Sequence, residues 1–163
     1  MTKDPFHLSG TALADILDDR LERFNSARCA VAATLGARLI RADRHAATAS
    51  IGFTLGDGFL HGGNSIQGGL MATMLDFTMA MAALARTPTG QSVGTSNLSV
   101  EFWRPAFPGD FTCHARLTRT GKRLVFSRAE LCNDSDKVLA VGTTTNLVVP
   151  PASAAPEQSD KGD

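Results

Sequence analysis

The spacing of apolar and polar residues changes three times along the chain. Near the start, Leu13, Ile16, Leu17, Leu21 and Phe24 fall on one stripe while Asp15, Asp18, Asp19 and Glu22 lie off it. That is the signature of an amphipathic helix over Thr11–Phe24, with Ser9 or Thr11 available to cap it. A short strand is predicted over Ala37–Ala42 and a longer one over His45–Leu55. The segment Gly56–Gly63 holds four glycines and reads as a loop. From Ile66 to Ala85 the sequence IQGGLMATMLDFTMAMAALA has helical spacing and hardly any polar face. A helix apolar all round is a buried helix. Asp76 is its one ionisable residue, and Thr87-Pro88 with Gly90 end it.

Beyond Gln91 the period falls to two. Phe111, Cys113, Ala115 and Leu117 alternate with Thr112, His114, Arg116 and Thr118. Strands are predicted over Ser92–Trp103, Leu124–Leu131 and Val138–Val149 as well. Turn residues separate them at Arg104-Pro105, Pro108-Gly109-Asp110, Gly121 and 133–136. The last three strands have short connections and should be antiparallel neighbours. The order is helix, two strands, buried helix, four strands. It predicts an α+β fold in which an antiparallel sheet wraps around one long buried helix and covers it fully, the hotdog arrangement. Three parts follow: an N-terminal helical segment (1–29), a hotdog domain (30–150) and a disordered tail (151–163) rich in Pro, Ala and charge.

Charge excludes little but redirects attention. Sixteen basic and sixteen acidic side chains cancel, so no overall field favours nucleic acid or a membrane surface. No run of 18 apolar residues predicts a membrane span, and the N-terminus lacks a secretory h-region, so a cytoplasmic location is expected. The cysteines, Cys29, Cys113 and Cys132, are too widely spaced for a CxxC site, and the four histidines show no metal-ligand spacing. No metal and no cofactor is expected.

Residues 61–76 read HGGNSIQGGLMATMLD. Gln67-Gly68-Gly69 followed by Asp76, nine residues after Gln67, resembles the signature of the phenylacetate-degradation (PaaI-like) hotdog thioesterases. The stretch TSNLSVEFWRPAFPGD, with its Phe-x-Arg-Pro, and TGKRLVFSRAEL stand where that family carries a strand and a hairpin. The similarity covers about residues 30–149 and implies hydrolysis of an acyl-coenzyme A thioester. Two positions depart from the family pattern. His61 stands where Asn is usual, fifteen residues before the carboxylate, and Gln67 stands where His is commoner.

Thioester hydrolysis needs an oxyanion stabiliser, a base or nucleophile, and a slot for the acyl chain. The first turn of a helix offers free N–H groups and a positive dipole end, and glycine lets a carbonyl come close. The resemblance gives Gly68 the oxyanion contact, with Gly69 beside it; tight helix–sheet packing would explain the same glycines. Asp76 would activate water or attack the carbonyl itself. Its bland alternative is a carboxylate bridging at a subunit contact. Eight residues of helix separate Gly68 from Asp76, about 12 Å of rise, too far for both to meet one atom. In the resembling family the site lies between two protomers. Gly68, Gln67 and His61 would come from one and Asp76 and Thr95 from the other, in a homodimer or a homotetramer built from two dimers. Thr95 is the expected hydroxyl, with Ser96 as the competitor on the opposite face of the strand. His61 would bond the carbonyl or a water, or Asn64 would take that amide role.

Phe59, Leu60, Met74, Phe77 and Met81 are candidates to line the acyl slot, and core packing accounts for them equally. Between Arg116 and Arg128 stand five basic residues and no acidic one. Lys122 and Arg123, at the turn after Gly121, are the best candidates for the phosphates of coenzyme A. Two other functions compete. A hotdog hydratase or dehydratase would need a His–carboxylate pair, for which Asp57 with His61 is the nearest candidate. A non-catalytic acyl-CoA binding protein would bind the ligand and release no thiol.

Overall fold

A computed structural model describes residues 30–150 apart from 44, 89 and 90. The helix expected over Thr11–Phe24 and the tail from 151 lie outside the described residues. A five-residue helix α1 (Ala30–Thr34) leads into β1 (Arg38–Asp43) and β2 (Thr48–Leu55). A single 3-10 turn over Asp57–Phe59 interrupts the glycine-rich loop. The long helix α2 (Gly68–Arg86) follows, then β3 (Ser92–Phe102), β4 (Gly109–Thr120), β5 (Leu124–Asn133) and β6 (Val138–Val149). The expected elements agree with these to within a few residues. The largest difference is at β2, where residues 45–47 form a turn rather than strand, with Ala47 at φ 55.

All six strands join one antiparallel sheet in the order β1-β2-β4-β5-β6-β3. The last three strands are neighbours, as their short turns require. β3 does not pair with β4, which follows it. It crosses to the far side and pairs with β6, so its other edge, eleven residues long, has no partner among the described residues. The connection is anchored on the way, with the Trp103 and Arg104 N–H groups both donating to the Leu139 carbonyl.

The sheet curls around α2, and the period-two alternation puts Ile51, Phe53, Phe111, Cys113, Ala129, Leu131 and Ala140 against it. Met71, Met74, Leu75 and Met79 face them and are buried. Gly142 on β6 allows this closeness: an added Cβ would press on Met79, Leu75 and the Ser99 carbonyl at 3.4–3.5 Å. The helix ends where Thr87 turns extended ahead of Pro88, its N–H and hydroxyl reaching the Ala83 and Leu84 carbonyls. The expectation of full enclosure is corrected in one respect. Gly69 is exposed, and Ala72, Thr73, Asp76 and Ala80, on the same helical stripe, are half-buried, because one curled sheet covers only one side of the helix. The architecture is the hotdog fold.

Candidate active site

Asp76 lies on that open stripe, two turns into α2. The Thr95 hydroxyl, near the start of β3, donates a 2.7 Å hydrogen bond to Asp76 Oδ1. The choice between Thr95 and Ser96 is made by a β-bulge. The β3–β6 register shifts between Thr95 and Asn97: Thr95 is opposite Asn146, while Asn97 is opposite Thr145. Asn146 is buried on the helix side of β6, so its partner Thr95 faces the helix too. Leu98 and Val100, opposite Thr144 and Gly142, also face the helix. A regular strand would have presented Ser96 in line with them. The extra residue re-aims Thr95 instead.

Behind Thr95, the Asn146 side chain donates from Nδ2 to Thr95 Oγ1 at 3.2 Å. Asn146 is 0% exposed. The sequence reading passed over it, although a polar residue on the apolar face of the last strand was a visible signal.

At the other end of the site, Gly68 and Gly69 open α2. Gln67 is the cap residue, and its side chain makes no capping bond. The Leu70 N–H reaches the Gln67 carbonyl, so the amides of the two glycines are the donors of the first turn that find no acceptor among the described residues. Gly68 faces the Phe102 ring, which an added Cβ would meet at 3.6 Å. Phe102, at the end of β3, is half exposed. It too was missed as a site neighbour, though it begins the Phe-x-Arg-Pro run.

His61 is tied into its own loop. Its Nδ1 accepts from the Gly63 N–H at 2.9 Å, and its Nε2 meets the Ser65 hydroxyl at 2.7 Å. An accepting Nδ1 puts the ring proton of the neutral imidazole on Nε2, so Ser65 accepts it. Asn64, at φ 58, occupies the left-handed turn position of the same loop, and its N–H donates to the His61 carbonyl. Among the described residues no ion pair joins Asp57 to His61.

Against this geometry, the family model of the Thioesterase superfamily matches residues 57–140, just over half of the chain. The chain belongs to the Thioesterase superfamily. A phenylacetic acid degradation-related protein from Ralstonia eutropha JMP134 is 33% identical, with a TM-score of 0.71 over 78% of this chain and 98% of that one. The PaaI protein of the Escherichia coli phenylacetic acid degradation operon shares the fold at a TM-score of 0.75 and 22% identity, covering 88% of this chain and 98% of that one. A medium/long-chain acyl-CoA thioesterase, YigI of Salmonella typhimurium, is 27% identical over 96 residues. That alignment takes in 51% of this chain and 62% of YigI, so the chain spans less than two thirds of this curated relative's length.

In this thioesterase-superfamily domain the remaining candidates divide by depth. Phe59, Leu60 and Phe77 are half-buried at the margin of the core, with Phe77 edge-on to Phe53 at 6.1 Å between ring centres. Met74 and Met81 are buried within the core. The five basic residues do not form one patch, and Arg119 is exposed on β4 opposite Phe126. Arg116 and Arg128 are direct cross-strand partners, and Arg128 bonds Glu130 at 2.9 Å. Lys122 and Arg123 are exposed in the β4–β5 turn. That turn is at the Thr95 end of the sheet, since Leu124, Leu147 and Gly94 form one row and Val125, Asn146 and Thr95 the next. Two strand spacings and about two residues put Arg123 roughly 12 Å from Thr95.

Proposed function

We propose that the protein hydrolyses an acyl-coenzyme A thioester at a site built by two copies of the chain. The observation that carries this reading is the placement of two half-sites along β3. Asp76 with Thr95 belongs to its first residues, and Gly68 with Phe102 to its last. β3 is also an edge strand unpaired on one side among the described residues, and a long open edge is a template for another strand. Antiparallel pairing of two β3 edges about a two-fold axis near Leu98–Ser99 would bring Thr95 of one copy opposite Phe102 of the other. Each Asp76 would then face the partner's Gly68. The open stripe of α2 and the exposed Phe102 would be covered by the same contact.

In such a cleft the substrate carbonyl oxygen accepts from the Gly68 amide at the positive end of α2. Thr95 occupies Oδ1 of Asp76, leaving Oδ2 for chemistry. Oδ2 takes a proton from water as the water oxygen attacks the carbonyl carbon. The tetrahedral intermediate then collapses, breaking the C–S bond, and the thiolate leaves and is protonated. Direct attack by Oδ2 would give a mixed anhydride that water cleaves in a second step. Lys122 and Arg123 hold the phosphates of coenzyme A, and Phe59, Leu60 and Phe77 border the acyl chain. With both ring nitrogens of His61 engaged and no Asp57 pair, the hydratase reading lacks its acid–base couple. The test is thiol release over a panel of acyl-CoA esters by the wild type and Asp76→Ala, with sedimentation to establish the dimer. Turnover at the wild-type rate in a folded, dimeric D76A would end this reading. Binding without thiol release in the wild type would favour the non-catalytic binder.

A further inference from the structure

The Thr95 hydroxyl has a single proton, and that proton is committed. An ionised carboxylate only accepts, so the 2.7 Å contact with Asp76 makes Thr95 the donor. Any other neighbour of Oγ1 must then donate to it. Asn146 does so from Nδ2 at 3.2 Å, which fixes which way its amide points: only the NH2 end can meet an oxygen whose proton is already used. The other end of the amide, Oδ1, is buried and has no hydrogen-bond partner among the described residues. Nothing attracts the oxygen, so the donor end sets the orientation. A core amide with an unpaired acceptor is a standing cost to folding that an apolar residue of similar volume would remove.

The backbone around this contact is held on both sides. β6 lies between β5 and β3, and Asn146 is opposite Val125 on one side and Thr95 on the other. The bulge between Thr95 and Asn97 aims Thr95 at the helix, where it meets Asp76. The chain Asn146–Thr95–Asp76 therefore runs from a strand paired on both sides to its neighbour β3 to the open stripe of α2. We infer that Asn146 is a positioning residue: by donating to Thr95 it locks that hydroxyl as a donor to Asp76 and holds the carboxylate for reaction. This rests on Asp76 being the reacting carboxylate.

The experiment is a double-mutant cycle on the full chain, read as kcat and KM for one acyl-CoA ester, with D76A alongside. Asn146→Leu and Thr95→Ala are each expected to lower kcat about ten-fold with KM within about two-fold, the scale of one lost hydrogen bond. If Asn146 acts through Thr95, the double variant falls no further than Thr95→Ala. Losses that multiply, to about a hundred-fold, overturn the inference while leaving the proposed chemistry standing. Wild-type kcat in Asn146→Leu overturns it also. Asn146→Leu is further expected to melt no lower than wild type, since it removes the unpaired acceptor. Asn146→Val, a smaller strand-forming side chain with no donor, is read beside it and should show the same loss of kcat if the first variant folds poorly. Wild-type kcat in a folded Asn146→Val overturns the inference. Full turnover in D76A would overturn this inference and the proposed chemistry together.

Discussion

Replacing Gly68 by proline would delete one N–H group and spare the helix that carries it. Gly68 is the first residue of α2, a position whose N–H has no acceptor within the helix and where proline is favoured. The residue before a proline must be extended, and Gln67 already is, at φ −58 and ψ 129. A Cβ at this position meets the Phe102 ring at 3.6 Å, an ordinary contact. Melting by circular dichroism should therefore move by no more than a few degrees. The reaction should not be spared. Removing an oxyanion donor typically raises the barrier by about 3–4 kcal/mol, or roughly 10²–10³-fold in kcat. Thiol release under saturating acyl-CoA measures that drop directly. A Gly68→Pro protein that melts like wild type and turns over at the wild-type rate would refute the assignment of the oxyanion contact to this amide.

Three further outcomes follow from the same geometry. Mixing equal amounts of Asp76→Ala and Gly68→Pro chains, after dissociation and reassembly, should restore about a quarter of wild-type activity, because half of the dimers are mixed and one of their two sites is intact; no recovery would mean that each site uses one chain. Lys122→Ala with Arg123→Ala should raise KM for coenzyme A esters about ten-fold, with a much smaller change for a short thioester lacking the nucleotide; equal changes would remove the phosphate role. Burial pushes the Cys113 thiol up to about 12 against a weaker opposing hydrogen bond from Thr78, so mass spectrometry should find it unlabelled by iodoacetamide at pH 8 until the protein is unfolded. The folded value lies above the unfolded one, so this thiol's contribution to stability is complete below about pH 9 and lost as pH rises toward 12.

What the pattern made legible, and what it hid, divides on physical lines. Asp76 stood out because a lone carboxylate in an apolar run is costly to bury. The paired glycines stood out because a helix start is a fixed landmark. Thr95 and Ser96 were inseparable because a bulge changes strand parity without changing the pattern of residue types; the register, not the alternation, turns Thr95 toward the helix. Asn146 was visible only as a polar residue on the apolar face of its strand; its role was not legible, because its partner stands 51 residues away across a strand pair. The pairing of β3 with β6, rather than with β4, is likewise set by how the sheet closes around α2 and not by any local signal. The helix read as apolar throughout, yet only one stripe of its first three turns is left open. Methionines and Leu75 go to the sheet, and Gly69, Ala72, Thr73, Asp76 and Ala80 go to the open side.

That sorting bears on why the carboxylate is where it is. An aspartate on the sheet side of α2 would stand among Phe53, Phe111 and Leu131 with no donor to meet it, and its burial would work against the fold of every single chain. On the open stripe it is half-buried, bonded to Thr95, and partly hydrated until something covers it. In the proposed assembly the covering surface is another copy, and small residues at 69, 72, 73 and 80 let that surface approach closely. Bulk water would then be excluded from Asp76 by the partner's surface, leaving the molecule that attacks the substrate carbonyl held on the partner's Gly68 amide. Folding of the chain and completion of the site become separate events, so a variant that weakens the β3 edge at an exposed position, such as Ser99→Lys, should lose activity in proportion to dimer lost on dilution while its monomer still melts cooperatively. Activity per chain that stays constant across the dissociation range, followed by sedimentation and thiol release on the same samples, would show that one copy suffices.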